Sequence, residues 1–234
     1  MSSRRRRARE IALKALYQID LVGAAAEDAL RDMLADEVLL PAYESFARDF
    51  LTDCGAGEAQ ESEQDSCARS FSNELVLAPG KLRQVDFYRE ALSEGVARFE
   101  IKVPAAEAAY PRLMQRCLEK SDSLKDIEEF ARRLTMVTAE KKQEIDAVLG
   151  KYADNWSLDR MARLDRTILR FATAEILFFR DVPANVTINE AIELAKKFST
   201  ERSCEFVNGI LDKIFRETKP EKDEGRQRKG PPTS

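Results

Sequence analysis

The sequence contains no histidine among its 234 residues. Histidine is the usual general base near neutral pH, the partner of many serine and cysteine nucleophiles, and the commonest zinc ligand. Catalysis would have to rely on carboxylates, lysine or cysteine alone, so the missing histidines make an enzyme the less expected class and single out no catalytic residues. The four cysteines show no C-x-x-C spacing, so we interpret them as reduced thiols and expect no cofactor and no metal; they are Cys54, Cys67, Cys117 and Cys204.

Long apolar runs are missing as well. No uninterrupted apolar stretch in the sequence approaches the roughly 18 residues that indicate a membrane-spanning helix. The N-terminus has arginines, but it lacks the apolar segment and the small-residue cleavage site of a secretory signal. These absences predict that the protein does not contact a membrane and lies in the cytoplasm.

Glycine and proline are scarce, with 9 and 8 residues, which favours a helical protein over an all-β one. Apolar residues recur at helical spacing over 9–20, over 127–137 with Phe130 among them, and over 141–152, and the longest such stripe covers 158–180. No segment keeps the alternation of a strand. The sequence therefore predicts an all-α fold of antiparallel helical pairs, with an exposed acidic loop over 53–65 and a disordered tail after residue 217.

Local signals predict details of these helices. Pro111 is a candidate interruption of a helix over 104–120, and Ser123 is a candidate N-cap for the helix that follows it. Thr187 and Glu190 have the spacing of a capping box, with Thr187 as the N-cap. Gly209 lies inside the last helix, where glycine costs roughly 1 kcal/mol relative to alanine. We expect this cost to be offset by a close helix–helix approach.

Arginine is concentrated at the N-terminus of a chain whose net charge is -4. This N-terminal arginine cluster consists of Arg4, Arg5, Arg6, Arg7 and Arg9, and the aromatic Tyr17 follows two turns later. Phosphate neutralisation beside a flat ring is what a single-stranded nucleic acid requires, so the pattern indicates RNA binding. The plainer alternatives are a solvated, frayed terminus for the arginines and core packing for Tyr17.

A second arginine stripe lies at spacings of three, three and four and comprises Arg160, Arg163, Arg166 and Arg170. Residues at these spacings share one face of a helix. The stripe is either a solvent-exposed face or an extension of an RNA path that also meets acidic groups of a partner. Both interpretations remain open from the residues alone.

Four motifs, in order along the chain, carry a resemblance to a known family. They are Arg5-Arg6-Arg7-Ala8-Arg9-Glu10 with Ala15-Leu16-Tyr17; Asp181-Val182-Pro183; Asn189-Glu190-Ala191-Ile192-Glu193-Leu194-Ala195-Lys196; and Phe206-Val207-Asn208-Gly209-Ile210-Leu211-Asp212-Lys213. Together they resemble the NusB family of transcription antitermination factors, over about residues 4–20 and 125–216. The resemblance implies an all-α fold of two helical subdomains and no catalysis.

The same resemblance implies a function. Family members bind boxA-type single-stranded RNA of ribosomal RNA leaders together with a NusE-type small-subunit ribosomal protein, as part of an antitermination complex on RNA polymerase. By position, Arg5, Arg6, Arg7 and Arg9 match the family's arginine-rich RNA-binding motif, and Tyr17 matches its RNA-contacting aromatic. Arg5, Arg9 and, more loosely, Arg6 share a helical face, so we expect their guanidiniums to follow one RNA backbone. We also assign Arg170 and Phe206 to RNA binding. Asp165 and Arg166 are assigned to the surface that binds the protein partner. Some relatives dimerise, so a homodimer is also possible.

The chain departs from the family in its length. We divide it into an arginine-rich helix (1–20), a helical insertion (21–123) with the acidic loop near 53–72, a NusB-like core (124–216) and a disordered tail (217–234). The insertion is either a helical extension that packs on the N-terminal subdomain or a partly disordered arm. Because the acidic loop and the N-terminal arginine cluster have opposite charges, the loop could compete with RNA for the arginines.

Two other functions fit the residues. A helical protein–protein scaffold could use the arginines to bind an acidic partner. Alternatively, NusB-like domains form the RNA-binding part of some ribosomal RNA methyltransferases, but that function requires a further domain with a glycine-rich methyl-donor loop and a catalytic cysteine. Salt-dependent RNA binding with a sequence preference would separate an antitermination factor from a scaffold.

Overall fold

The computed structural model describes residues 2–56, 61–153 and 157–218, and all the regular structure in these residues is helical. This confirms the all-α prediction. The α-helices are α1 (Ser2–Val22), α2 (Ala26–Leu34), α3 (Leu40–Asp53), α4 (Glu61–Leu77), α5 (Val85–Ala91), α6 (Ser93–Arg98), α7 (Val103–Glu140), α8 (Lys142–Tyr152), α9 (Arg163–Phe178), α10 (Ala184–Phe198) and α11 (Glu201–Thr218). A π-helical turn (Ala35–Leu39) joins α2 to α3, and short 3-10 turns cover Pro79–Lys81 and Leu158–Arg160.

The chain forms two compact units, one up to Arg132 and the other from Arg133 onward. The division falls within α7. The domain boundaries that we assigned from the sequence, after residues 20, 123 and 216, stay predictions. The predicted disordered tail (217–234) is wrong for residues 217 and 218, which belong to α11, and the rest of it lies outside the described residues.

In the first unit, α1 buries the apolar stripe that the sequence predicts, including Ile11, Ala15 and Leu16. The insertion also has a hydrophobic core of its own. Its largest buried members are aromatic and aliphatic side chains from α3, α4, α5 and α7, namely Tyr43, Phe50, Leu51, Phe71, Leu75, Phe87, Tyr88, Tyr110 and Leu113. The residues of this core lie on helices throughout 43–117. Most of the insertion is therefore a packed helical structure rather than a disordered arm.

The predicted acidic loop is wrong for residues 61–72, because α4 begins at Glu61. Ala68, Phe71 and Leu75 are buried at helical spacing, so the packed second half of α4 stabilises helical structure toward its N-terminus. At the start of the helix, Asp65 forms an ion pair of 2.6 Å with Arg48 of α3. The carboxylate of Asp65 is therefore already paired with an arginine of the insertion itself.

Helix α7 passes through two positions at which the sequence suggested a boundary. Ser123 does not cap a helix, since its hydroxyl donates to the carbonyl of Lys120 one turn earlier in the same helix. Pro111 also lies inside α7. It is exposed, so water can solvate the carbonyl that the proline leaves without its usual donor.

The second unit contains the end of α7 and helices α8 to α11. Its buried side chains include Leu149, Ile168, Phe171, Leu194, Val207 and Leu211. Thr187 is not the N-cap of α10, because the helix begins three residues earlier and Pro183 is its N-cap. Gly209 is exposed, and a Cβ built on it would have no atom within 4 Å, so the predicted close helix approach is also wrong.

Candidate nucleic-acid interface

The first turns of α1 hold the N-terminal arginine cluster. Arg4, Arg5 and Arg6 are exposed, whereas Arg7 is partly buried. Arg4 Nη1 donates to Asp126 Oδ2 of α7 at 3.0 Å, and 61% of the Arg4 side chain remains exposed. An ion pair this exposed holds an arginine only weakly, typically by less than about 1 kcal/mol. The start of α1 is therefore an exposed cationic surface.

Arg5 and Arg9 share one face of α1, as predicted, but this face packs on a ring. The guanidinium carbons of Arg5 and Arg9 lie 5.0 and 5.3 Å from the centroid of the Phe130 ring in α7. Arg9 is 2% exposed, so its guanidinium is not on the open surface that we expected to follow an RNA backbone. The shared face anchors α1, and Arg5 is the exposed member of the pair.

Arg7 is bound by acidic groups. Its guanidinium donates to Glu10 Oε2 at 3.1 Å, to the carbonyl of Glu37 at 3.1 Å and to Glu37 Oε2 at 3.3 Å. Lys14 Nζ donates to the other oxygen of Glu37 at 2.5 Å. The hydrogen bond from Lys14, together with the positive charges of Lys14 and Arg7, lowers the pKa of Glu37. The π-helical turn of the insertion thus places a carboxylate against two cations of α1.

Tyr17 is partly buried on α1, two turns beyond the cluster. The two interpretations that the sequence left for Tyr17 both remain open, and its RNA contact stays a prediction.

The second arginine stripe is less regular than its spacing suggests. Arg160 lies in the 3-10 turn before α9 rather than on the long helix. Arg166 Nη1 donates to the carbonyl of Leu158 at 3.1 Å. Arg170 donates to both carboxylate oxygens of Asp146 in α8, at 2.7 and 2.8 Å, and only 11% of its side chain is exposed. Arg170 therefore links α8 to α9, and its RNA contact stays a prediction.

Asp165 joins α9 to the start of α11. It is 8% exposed, and its two oxygens accept hydrogen bonds from Ser199 Oγ at 2.6 Å and Ser203 Oγ at 2.9 Å. A carboxylate with two hydroxyl donors is well satisfied in a buried position. This geometry gives Asp165 a structural role, and its contact with a protein partner stays a prediction.

A cavity of about 380 Å³ opens beside this hydrogen-bond network. Phe206, partly buried, and Arg202, exposed, both line it. The other lining residues are Met161, Ala162, Asp165, Thr200 and Ser203. An aromatic ring and a guanidinium that line one cavity can stack a base and bind a phosphate. The cavity is thus a candidate RNA subsite in the second unit.

Several residues that organise these surfaces were not found from the sequence. Glu37, Asp126 and Phe130 contact the N-terminal arginine cluster, and Asp146 binds Arg170. Phe130 was predicted only as an apolar position of its own helix. No local pattern could have identified these partners, because each belongs to a different helix or turn from the arginine that it meets.

No cluster of histidine, cysteine or carboxylate side chains that could hold a metal ion is found in the described ranges 2–56, 61–153 and 157–218. Within the same part of the chain, no helix has the length and apolar character needed to cross a membrane.

The chain is similar to proteins of one family. The family model described as NusB family matches residues 88–216. The transcription antitermination protein NusB of Thermodesulfovibrio yellowstonii is 47% identical over 106 residues, which are 45% of this chain and 69% of the relative. The protein of the same name from Geobacter sulfurreducens is 56% identical over 85 residues, which are 36% of this chain and 62% of the relative.

Solved structures show the same fold. A chain in a crystal structure of the antitermination factors NusB and NusE with double-stranded RNA has a TM-score of 0.52 and 18% identity, covering 93% of this chain and 99% of the other. A chain in a crystal structure of a plectonemic RNA supercoil has a TM-score of 0.53 and 19% identity, covering 92% and 96%.

The family match does not coincide with the division drawn from the sequence. It begins at Tyr88, inside the segment that we assigned to the insertion, and it leaves the N-terminal arginine cluster and Tyr17 outside. It nevertheless covers more than half of the chain and includes α7 to α11. The chain therefore belongs to the NusB family of transcription antitermination proteins, which are not enzymes.

Proposed function

We propose that this NusB-family chain binds boxA-type single-stranded RNA of ribosomal RNA leaders. It does so together with a NusE-type small-subunit ribosomal protein, in an antitermination complex on RNA polymerase. The observation that carries the proposal is the exposed cationic start of α1, formed by Arg4, Arg5 and Arg6, in a chain of net charge -4. One structural neighbour was solved with both NusE and RNA, which supports the choice of partners. We place this assembly in the cytoplasm.

The proposed roles follow the geometry of each side chain. Arg5 and Arg6 neutralise phosphates, and Tyr17 offers a ring for a base, a contact that is worth roughly 1–3 kcal/mol. Arg7 binds a phosphate when it leaves Glu37, whereas the buried Arg9 anchors the helix.

In the second unit, the proposed contacts are made by Phe206 and, where it is released from Asp146, Arg170. Phe206 lines a cavity, so a base can enter beside its ring. Asp165 and Arg166 remain the proposed partner-facing residues of α9. For Asp165 this role would be added to its hydrogen bonds with Ser199 and Ser203.

The test is a fluorescence-anisotropy titration of a boxA-like RNA and a scrambled RNA of equal length and composition, with and without the NusE-type ribosomal protein. We expect selective binding of the boxA-like RNA that tightens when the ribosomal protein is added. Equal, weak binding of both RNAs in both conditions would contradict the proposal and favour the protein–protein scaffold.

A further inference from the structure

Phe130 contacts two members of the N-terminal arginine cluster, Arg5 and Arg9. The guanidinium of Arg5 lies 5.0 Å from the centroid of its ring, and that of Arg9 lies 5.3 Å away. The ring itself is only 8% exposed. One turn earlier on α7, Asp126 binds Arg4. A single face of α7 therefore contacts three arginines from the first turns of α1.

The chemistry of this contact suits phosphate binding. A guanidinium that lies over an aromatic ring interacts through its flat face, while its N–H donors lie in the plane of the group and point outward from its edges. Phosphate oxygens are bound through these edges, in a fork that the planar group presents as a unit. Arg5 can therefore remain on Phe130 while it binds a phosphate.

An Arg5 side chain that is already ordered in the free protein also loses less conformational entropy when it binds a phosphate. A free arginine side chain has many rotamers, and immobilising such a side chain on binding costs affinity. The start of a helix is where fraying is greatest, so an arginine there is ordered only if tertiary contacts hold it. Phe130 supplies that contact to Arg5, and the buried Arg9 fixes the helix under it.

We propose that Phe130 is a positioning residue for RNA binding, which acts by holding Arg5 in the orientation that receives a phosphate. The proposal rests on the proposed function and adds a residue that lies outside the arginine motif, on a different helix. Phe130 itself does not touch the RNA.

The chain offers a matched control for this contact. In the insertion, the guanidinium carbon of Arg116 lies 4.3 Å from the centroid of the Phe46 ring, and Arg116 also binds Asp49 at 2.7 Å. This is the same type of arginine–ring contact, also between a helix and α7 in the same unit, but it involves no residue of α1. Phe46→Leu and Phe130→Leu therefore remove the same kind of interaction from two places.

The experiment measures the affinity of the full chain for the boxA-like RNA, with circular dichroism and thermal melting to confirm the fold of each variant. We expect Phe130→Leu to weaken binding by roughly threefold to tenfold, the range of a cation–π contact. Phe46→Leu should stay within about twofold of the parent protein. Phe130→Tyr retains the ring and should restore most of the affinity that Phe130→Leu loses.

A double-mutant cycle separates positioning from general stability. If Phe130 acts through Arg5, Phe130→Leu should cost little further affinity in the Arg5→Ala background. Additive losses, or equal affinities of Phe130→Leu and Phe46→Leu, would overturn the positioning role. If Phe130→Leu does not fold, Arg5→Lys replaces it, since lysine keeps the charge but loses the planar face. Arg5→Lys with parental affinity would overturn the role as well.

Failure of the proposed function is a separate result. If the parent protein does not prefer the boxA-like RNA over the scrambled RNA, the proposed function fails, and the positioning role fails with it. If the parent protein is selective and Phe130→Leu binds as the parent does, only the positioning role is overturned.

Discussion

Arginines at similar helical spacing behave differently in the two units of this protein. At the start of α1, Arg4 and Arg5 are exposed. Arg4 forms an ion pair with Asp126, and Arg5 packs on the ring of Phe130. On α9, Arg170 is almost buried and both oxygens of Asp146 accept its hydrogen bonds. The first arrangement leaves cationic surface for a polyanion. The second satisfies the guanidinium within the protein.

The comparison shows that spacing identifies a face of a helix but not what that face meets. Both groups of arginines were recognised from their spacing, and both were considered for RNA. What separates them is the acidic or aromatic residue that another helix brings to each one, and this depends on tertiary structure. Removing Arg170 should therefore lower the stability of the protein, whereas removing Arg5 or Arg6 should weaken RNA binding with a smaller effect on stability.

The largest effect on stability is expected for Arg170→Ala. It would leave the partly buried carboxylate of Asp146, 24% exposed, without its bidentate partner. We expect the free energy of unfolding to fall by about 2–3 kcal/mol, somewhat less than the roughly 3–5 kcal/mol for breaking a fully buried ion pair, because this pair is partly exposed. Urea denaturation followed by circular dichroism measures this change. The exposed Arg160 is the control, and Arg160→Ala should change stability by less than about 0.5 kcal/mol. Equal effects of the two variants would contradict the structural role of Arg170.

The second unit also predicts a clear effect for Asp165→Asn. The substitution keeps the shape of the side chain but removes the charge and one of the two oxygens that accept from Ser199 and Ser203. We expect a loss of about 1–2 kcal/mol in unfolding free energy, as for hydrogen bonds to a charged group. Denaturation of the variant checks this value, and parental stability would show that the hydroxyls find other acceptors at no cost.

One glycine in each unit extends the comparison. Replacing these glycines with alanine is expected to change the stability of the protein in opposite directions. In the insertion, a Cβ on Gly95 would clash with Cys67 Sγ, and it would lie 3.4 Å from a methyl carbon of Leu51. In α11, a Cβ on Gly209 would meet nothing within 4 Å. We expect Gly209→Ala to stabilise the protein by about 0.5–1 kcal/mol through helix propensity. Gly95→Ala should destabilise it by about 1 kcal/mol, because overpacking outweighs the propensity gain. Thermal melts measure both, and shifts of the same sign would contradict this account of the two sites.

The smallest effect is expected for the carboxylate of Glu37, whose pKa is lowered by Lys14 and Arg7 from an ordinary value of 4.5. A carboxyl group whose pKa is lower in the folded state than in the unfolded state adds stability above its unfolded pKa. This stability is lost as the pH falls below about 4.5 and through the folded pKa. Glu37→Gln should therefore reduce stability near neutral pH and should melt closer to the parent protein at pH 3.5. If the melting temperatures of the parent protein and Glu37→Gln differed by the same amount at both pH values, the lowered pKa of Glu37 in the folded state would be contradicted.

Much of the fold could be predicted from local pattern. The all-α class, the apolar stripe of α1 and the position of α8 all follow from periodic apolar residues. The errors came where packing outweighs local signals. Ser123 and Pro111 suggested helix ends, but α7 continues through both because buried residues lie on both sides of each: Tyr110 and Leu113 around Pro111, and Leu113 and Phe130 around Ser123.

The candidate interface was predicted in part. The cationic start of α1 was recognised because its arginines are adjacent in the sequence. Their individual roles were not, since the burial of Arg9 and the binding of Arg7 by Glu37 depend on contacts with α7 and the π-helical turn. The asymmetry between the α1 and α9 arginines could not be predicted, because Asp126 and Asp146 look like ordinary acidic surface residues in their own segments.

The most direct test of the central claim is the salt dependence of boxA-like RNA binding for three proteins: the parent chain, Arg5→Ala/Arg6→Ala, and Arg160→Ala/Arg163→Ala. For single-stranded RNA, each neutralised phosphate contributes about 0.7 to the slope of log affinity against log salt. We expect the α1 variant to lose about 1.4 from the magnitude of the slope, and the control variant with the same charge change to keep the parental slope. Equal slopes for the parent protein and the α1 variant would contradict the claim that the start of α1 binds the RNA backbone.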